Sequence, residues 1–235
     1  MCGRFASPDE EEIVETFDVT VVKGSAQASG NVAPTEMVSI VVDRVKEDQV
    51  VRKLRLARWG LVPSWTKTFD KTNAMFNARA ETVLEKPSFR TAAVRRRAIV
   101  PAWGYYEWVK NSTSRSTPYF LHPSDDSMLG LAGLYEWWKV PEGMTVKGAS
   151  DDGWLCSVTI MTRSAADEIG QIHDRMPVVV PLGLLDEWLD PTLTDSQKVE
   201  ELITAMPDPV LVPTPRSPMS GDIHLQERMT GIEPA

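Results

Sequence analysis

The chain has little to offer soft metals or disulfides: two cysteines in 235 residues, Cys2 and Cys156, and three histidines. Two cysteines exclude a disulfide framework and a cysteine-based zinc cluster. His122, His173 and His224 lie far apart, without paired ligand spacing, so neither a metal nor another cofactor is expected. No stretch approaches the roughly 18 uninterrupted apolar residues of a membrane-spanning helix. The first residues lack the apolar core of a secretory signal, and reduced thiols in the cytoplasm are the expectation. Walker A loops, dinucleotide fingerprints and internal repeats are missing too. Any chemistry has to come from scattered side chains.

What is present reads as an ordinary globular chain, 42% hydrophobic and 25% charged, long enough for a substantial core. A net charge of −8 argues against coating nucleic acid, but the charge is uneven. Between Arg52 and Arg97, twelve Lys/Arg face three Asp/Glu. That asymmetry permits a basic groove on an acidic body, and equally permits a solvated basic face.

"SPDEEEIVETFD" predicts a helix, with Ser7 as N-cap, Pro8 in the first position, Glu10 closing a capping box, and an apolar stripe of Ile13, Val14 and Phe17. Strand patterns follow at "MVSIVVD", "KLRLARW", "RAIVPAWGYYEWV", "TPYFLH", "MLGLAGLYEWW", "WLCSVTIMT" and "MPVVVP". Helical patterns cover parts of 80–96, interrupted at Pro87, then "SAADEIGQI" and "DSQKVEELITAM". In "WLCSVTIMT", Trp154, Cys156, Val158 and Ile160 alternate onto one face, which makes Cys156 a buried, inert thiol. Strands and helices mix without βαβ alternation. The expected class is therefore α+β: a single compact domain over 1–215 with a curved, mostly antiparallel, barrel-like sheet flanked by helices. Residues 216–235, polar and aperiodic, read as a mobile tail.

Four places carry reactive groups. "MCGRF" supplies a thiol. "MFNARAETV" puts Asn77 and Arg79 ahead of a helix start. "GYYEW" sets Glu107 among aromatics, which would desolvate the carboxylate and raise its pKa. "IHDRMP" spaces His173 and Arg175 two apart, on one face if extended. Each alone has an ordinary structural explanation. Together they supply a nucleophile, an acid/base pair, an amide and guanidiniums.

"MCGRF", "NVAPTE", "RWGLVPSW", "FNARAETV", "SFR", "PAWGYYEW", "LAGLYEWW", "TIMTRSA" and "IHDRMPVVV", in that order, resemble the SOS-response-associated peptidase family. The resemblance implies a mixed α/β fold whose positively charged channel leads to the N-terminal cysteine. It implies catalytic roles for Cys2, Asn77, Glu107 and His173. It also implies DNA contacts at Arg4, Arg79 and Arg175, stacking by Trp65, and weaker candidates in Arg90 and Arg97. The function implied is an abasic-site sensor that binds single-stranded DNA and cross-links to it. Loss of Met1 would leave Cys2 with both a thiol and an α-amine, able to close a thiazolidine on the abasic aldehyde. The partner would be abasic single-stranded DNA rather than a membrane or metal, met by a monomer that is cytoplasmic and nucleoid-associated when bound. The alternatives are an autoproteolytic cysteine peptidase with Cys2 as nucleophile, and a non-catalytic DNA-binding module.

Overall fold

In the computed structural model, which describes residues 2–69, 75–110, 116–165 and 172–216, the longest hairpin joins β4 (Met37–Lys46) to β5 (Gln49–Trp59). Its two-residue turn places Glu47 and Asp48 at φ 51° and 61°, the paired positive angles that match the twist of an antiparallel ribbon. On its other edge β4 pairs with β7 (Arg97–Ala102), β7 with β10 (Leu129–Lys139), and β10 with β11 (Trp154–Ser164), every junction antiparallel. β11 then meets β5 in parallel, Ser157 against Arg58 and Val158 against Trp59, and the ring closes. Five strands cannot alternate direction around a circle, so an odd ring needs a parallel seam. β11 carries it.

The same edge of β11 goes on to pair, again in parallel, with β6 (Asn77–Arg79), while β12 (Arg175–Pro177) lies antiparallel to its end. Along that edge the chain leaves at Trp59 and returns at Asn77 only two β11 positions further on. The described residues 60–69 and 75–76 form an excursion from an otherwise continuous line.

A second sheet runs in the order β13 (Leu211–Pro215), β9 (Ser116–Pro123), β8 (Gly104–Lys110), β1 (Phe5–Ser7), β3 (Ser29–Val32). A two-residue strand, β2 (Val21–Val22), extends the barrel sheet beyond β5. The run 97–109, read from sequence as one strand, is two strands in two sheets. The chain crosses between them at Trp103, whose N–H donates to Ala6 O at 2.9 Å. Gly104 makes the crossing feasible: a Cβ there would stand 2.5 Å from Leu121 O and 2.6 Å from the Phe120 ring.

Alternation along the strands builds two cores. Val38, Ile40, Ala57, Trp59, Val100, Leu131, Val158 and Ile160 fill the barrel. Their neighbours Val41, Leu54, Ile99, Ala132 and Leu134 face out, beneath α1 (Glu10–Thr16), α2 (Arg90–Arg95), α3 (Leu185–Leu189) and α4 (Ser196–Ala205). The structure bears out the α+β barrel. It moves one cap: α1 is capped by Asp9, which accepts from Glu12 N while Glu12 returns the bond. Ser7 belongs to β1, and its hydroxyl accepts from Ser29 N. Arg97, weighed from sequence as a DNA contact, is 5% exposed. Its guanidinium donates to the carbonyls of Ala93, Trp188, Asp190 and Leu193, joining the carbonyl ends of α2 and α3. The helix expected in "SAADEIGQI" and the tail from 217 onward lie outside the described residues.

Candidate active site

Cys2 is fully buried at one mouth of the barrel, in a cluster with Phe5, Trp59 and Tyr105. The chain there is fixed from both sides. Tyr106 N–H donates to Arg4 O at 2.9 Å, and the Phe5 ring meets Trp59 edge-on at 5.1 Å. Asn77 arrives on β6, registered against Ile160 of β11. Its amide nitrogen donates to the Cys2 carbonyl at 3.1 Å and to Phe76 O at 3.1 Å. Among the described residues Asn77 Oδ1 is buried without a partner, an acceptor open to a further donor.

Glu107 and Tyr105 are two apart on β8 and share the face turned toward Cys2; Tyr106 points away and donates to Gly30 O at 3.0 Å. Glu107 is 3% exposed, and burial lifts its carboxyl to about 7, with Asp174 adding to the rise. Burial, then the Glu107 charge, pushes the Cys2 thiol well above its ordinary range. Tyr105 is raised by burial, then by the Cys2 and Glu107 charges, and its buried hydroxyl has no partner among the described residues. Cys156, by contrast, is 4% exposed in the barrel interior and raised to about 12 chiefly by burial, as its alternation implied.

His173 stands beside β12. Its Nδ1 accepts the Arg175 N–H at 3.0 Å and faces Asp174 Oδ1 at 2.8 Å. The two contacts suit different charge states: a neutral ring accepts from the backbone, an imidazolium donates to the carboxylate. Burial lowers the His173 pKa while Asp174 opposes it, so the neutral form, with its proton on Nε2, dominates near neutrality. The Asp174 charge acts on both Glu107 and His173. Cys2, Asn77, Glu107 and His173 thus converge on one mouth.

The cationic candidates differ among themselves. Arg79, exposed on β6 opposite Thr162, has no ion-pair or hydrogen-bond partner among the described residues. Arg4 is half-buried and donates to Asn31 Oδ1 at 3.0 Å. Arg175 is engaged: it grips Glu81 through two parallel bonds of 2.7 and 2.9 Å and donates to Thr162 O at 2.6 Å. Arg175 holds the Glu81 carboxyl at about 2. Trp65 is 65% exposed on the 60–76 excursion, which is anchored by Trp138 Nε1 donating to Thr66 O at 2.7 Å and by Phe69 stacked on Trp138. Tyr105, Asp174 and Glu81 escaped the sequence reading. The first two were within reach, one at strand period from Glu107 and the other adjoining His173.

A buried thiol and a buried carboxyl titrating near neutrality, with a half-buried imidazole and amide beside them and an exposed guanidinium nearby, make up the candidate site at this barrel mouth. The chain belongs to the SOS response associated peptidase (SRAP) family, whose profile matches residues 1–218. The Bacillus subtilis abasic site processing protein YoqW is 35% identical over 206 residues, 86% of each chain. The chicken abasic site processing protein HMCES is 30% identical over 179 residues, 66% of this chain and 51% of that one. A crystal structure of a Bordetella bronchiseptica protein superposes with TM-score 0.70 at 24% identity, over 92% of this chain and 100% of that one. That likeness shows the fold.

Proposed function

We propose that this protein processes abasic sites in DNA, binding single-stranded DNA and bonding covalently to the abasic sugar through Cys2. The observation that carries the reading is the buried Cys2, pinned by Asn77 and set beside a carboxyl that titrates at about 7. The names of its relatives supply the substrate class.

With Met1 removed, the Cys2 α-amine, of reference pKa about 7.7–8.0, is partly neutral at pH 7. It adds to C1′ of the open-chain sugar aldehyde, giving a carbinolamine. Protonation of the carbinolamine hydroxyl by the Glu107 carboxyl releases water and leaves an iminium ion beside the Glu107 carboxylate. The thiol sulfur then bonds to the same carbon, the C=N electron pair returns to the nitrogen, and the thiol proton passes to the Glu107 carboxylate, restoring the acid. Aldehyde and aminothiol become thiazolidine and water. The closing step is intramolecular, where effective molarities of about 10⁵–10⁸ M are attainable. His173 Nε2–H would hydrogen-bond to the ring oxygen, which gains the proton that the C1′ hydroxyl loses as the hemiacetal opens, and Asn77 would orient Cys2. Arg79, Arg4 and Arg175 would hold phosphates without reading sequence, and Trp65 would stack on a base.

The burial-raised thiol favours this order of events over a peptidase. Cysteine nucleophiles that attack first carry depressed pKa values; here the sulfur is held protonated, a group suited to the second step. Cys2→Ala should bind abasic single-stranded DNA but give no denaturation-stable adduct on a gel. A stable adduct from that variant would overturn the assignment, as would an adduct from protein whose intact mass shows Met1 retained.

A further inference from the structure

The run of positive charge between Arg52 and Arg97 is only partly used by the Cys2 site, and two of its arginines sit at the other end of the barrel. Interior positions recur every second residue, so the line through Trp59 and Ala57 continues to Arg55 on β5. The line through Ile40 and Val42 continues to Arg44 on β4, and that through Ala98 to Arg96 just ahead of β7. On the facing strands the same rule places Tyr135, Trp137 and Lys139 of β10 and Cys156 and Trp154 of β11. Trp154 lies six residues along β11 from Ile160, the partner of Asn77, or roughly 20 Å at strand rise. This mouth is opposite the one that holds Cys2.

Several of the donors gathered here lack acceptors among the described residues. The Arg44 guanidinium lies 5.0 Å over the Tyr135 ring and that of Arg55 lies 4.6 Å over Trp137. Neither has a carboxylate partner among the described residues. Arg96 bridges to Glu136 at 2.7 Å, yet its Nε is buried with no acceptor. At the centre, Tyr135 is 1% exposed and its hydroxyl has no partner among the described residues. Water could satisfy a hydroxyl but would leave two half-buried positive charges uncompensated. An oxyanion, acceptor-only and negative, answers all of these needs at once.

Beside the donors is an aromatic cleft. Trp137, Ser150, Asp152 and Trp154 line about 450 Å³, within the range of small-molecule sites. The Trp154 ring is 39% exposed and carries Lys139 Nζ 5.3 Å above it. A planar base can stack on an exposed indole, and the Asp152 carboxylate offers an acceptor to an exocyclic amine. We propose that the barrel mouth opposite Cys2 is a second binding site, which takes a nucleoside phosphate with its phosphate among Arg44, Arg55 and Tyr135 and its base on Trp154. The site is independent of the chemistry at Cys2.

Calorimetric titration of the full-length protein tests this with four probes: inorganic phosphate, dAMP, and one short oligonucleotide bearing either a 5′-phosphate or a 5′-hydroxyl. dAMP should bind saturably and more tightly than phosphate. An Arg44→Ala/Arg55→Ala double variant should weaken it about tenfold or more, near 1.4 kcal/mol. Trp154→Ala should erase the advantage of dAMP over phosphate, and abasic cross-linking should be unchanged in both variants. Preference for the 5′-phosphorylated strand over its 5′-hydroxyl twin, lost in the double variant, would identify the ligand as a strand end; dAMP binding without that preference would identify it as a free nucleotide. If the double variant fails to fold, Tyr135→Phe, which removes one oxygen, should still weaken dAMP severalfold. No saturation by dAMP up to about 10 mM, or equal affinity in a folded double or Tyr135→Phe variant, would overturn the proposal.

Discussion

Glu107 sits where a carboxylate is least at ease, 3% exposed against a thiol and a phenol, and its carboxyl titrates at about 7 as a result. In the reaction proposed, the acid form of Glu107 and the neutral Cys2 amine are needed together. The rate of adduct formation should therefore fall above about pH 7, as Glu107 ionises, and below about pH 7.7–8.0, as the amine protonates. Glu107→Gln should be slower and lose the alkaline limb; single-turnover cross-linking across pH 5.5–9 reads both. The same shift governs stability. The folded-state pKa lies above the carboxyl's ordinary 4.5, so the folded state holds the proton more tightly than the unfolded chain. Stability is then full below about pH 4.5 and is lost as pH rises through 7. Glutamine does not titrate, and Glu107→Gln should gain on the wild type in stability as pH rises, approaching on the order of 3 kcal/mol above pH 7 and read as Tm against pH. A Tm difference independent of pH would show that burial does not set this pKa.

Among the elements, the β7–β8 crossing is the one on which the site most depends, because Tyr105 and Glu107 follow directly after Gly104. Gly104→Ala would drive a methyl carbon onto the Leu121 carbonyl oxygen and the Phe120 ring. Overpacking of this kind costs about 1–3 kcal/mol; with backbone as the obstacle the upper end is expected, measured by urea unfolding, together with slowed cross-linking. That crossing also marks where sequence reading stops. The composition of 97–109 is strand throughout, and alternation along a strand says nothing about which sheet it joins. The cap of α1 failed for a related reason. Ser7 and Asp9 are both good caps, and only the pairing of β1 with β3 uses Ser7 elsewhere. The long strands, the alternation that buries Cys156 and the α4 helix were legible because each is a periodic pattern. β13 was not, since Pro213 and Pro215 disguise a strand that pairs on one edge with β9. Of the site, the titratable groups could be named from sequence, but their partners could not. The Glu81 clamp on Arg175 joins residues 94 apart.

For the molecule as a whole, that clamp would decide, in the complex proposed, how much positive charge reaches DNA. An acidic protein of net charge −8 binds a polyanion through local fields, and Glu81 neutralises one of the guanidiniums that would supply them. Glu81→Gln should release Arg175, tighten binding to single-stranded DNA and steepen the dependence of log K on log salt by about 0.7, one further phosphate contact on a single strand. Fluorescence anisotropy at several salt concentrations measures this, and an unchanged slope would place Arg175 outside the DNA path. Arg79→Ala should flatten the slope by a similar amount.

The excursion at 60–76 carries a consequence for how such a molecule can change. Its two ends are held by successive positions of one β11 edge, so the barrel closes through them as though nothing lay between. The segment that displays Trp65 can therefore lengthen at little cost, closure entropy rising only about 0.6 kcal/mol per doubling. Substrate reach and barrel integrity are separate variables in this fold, and a new preference in DNA structure could be tried on that segment while the chemistry at Cys2 stayed where it was.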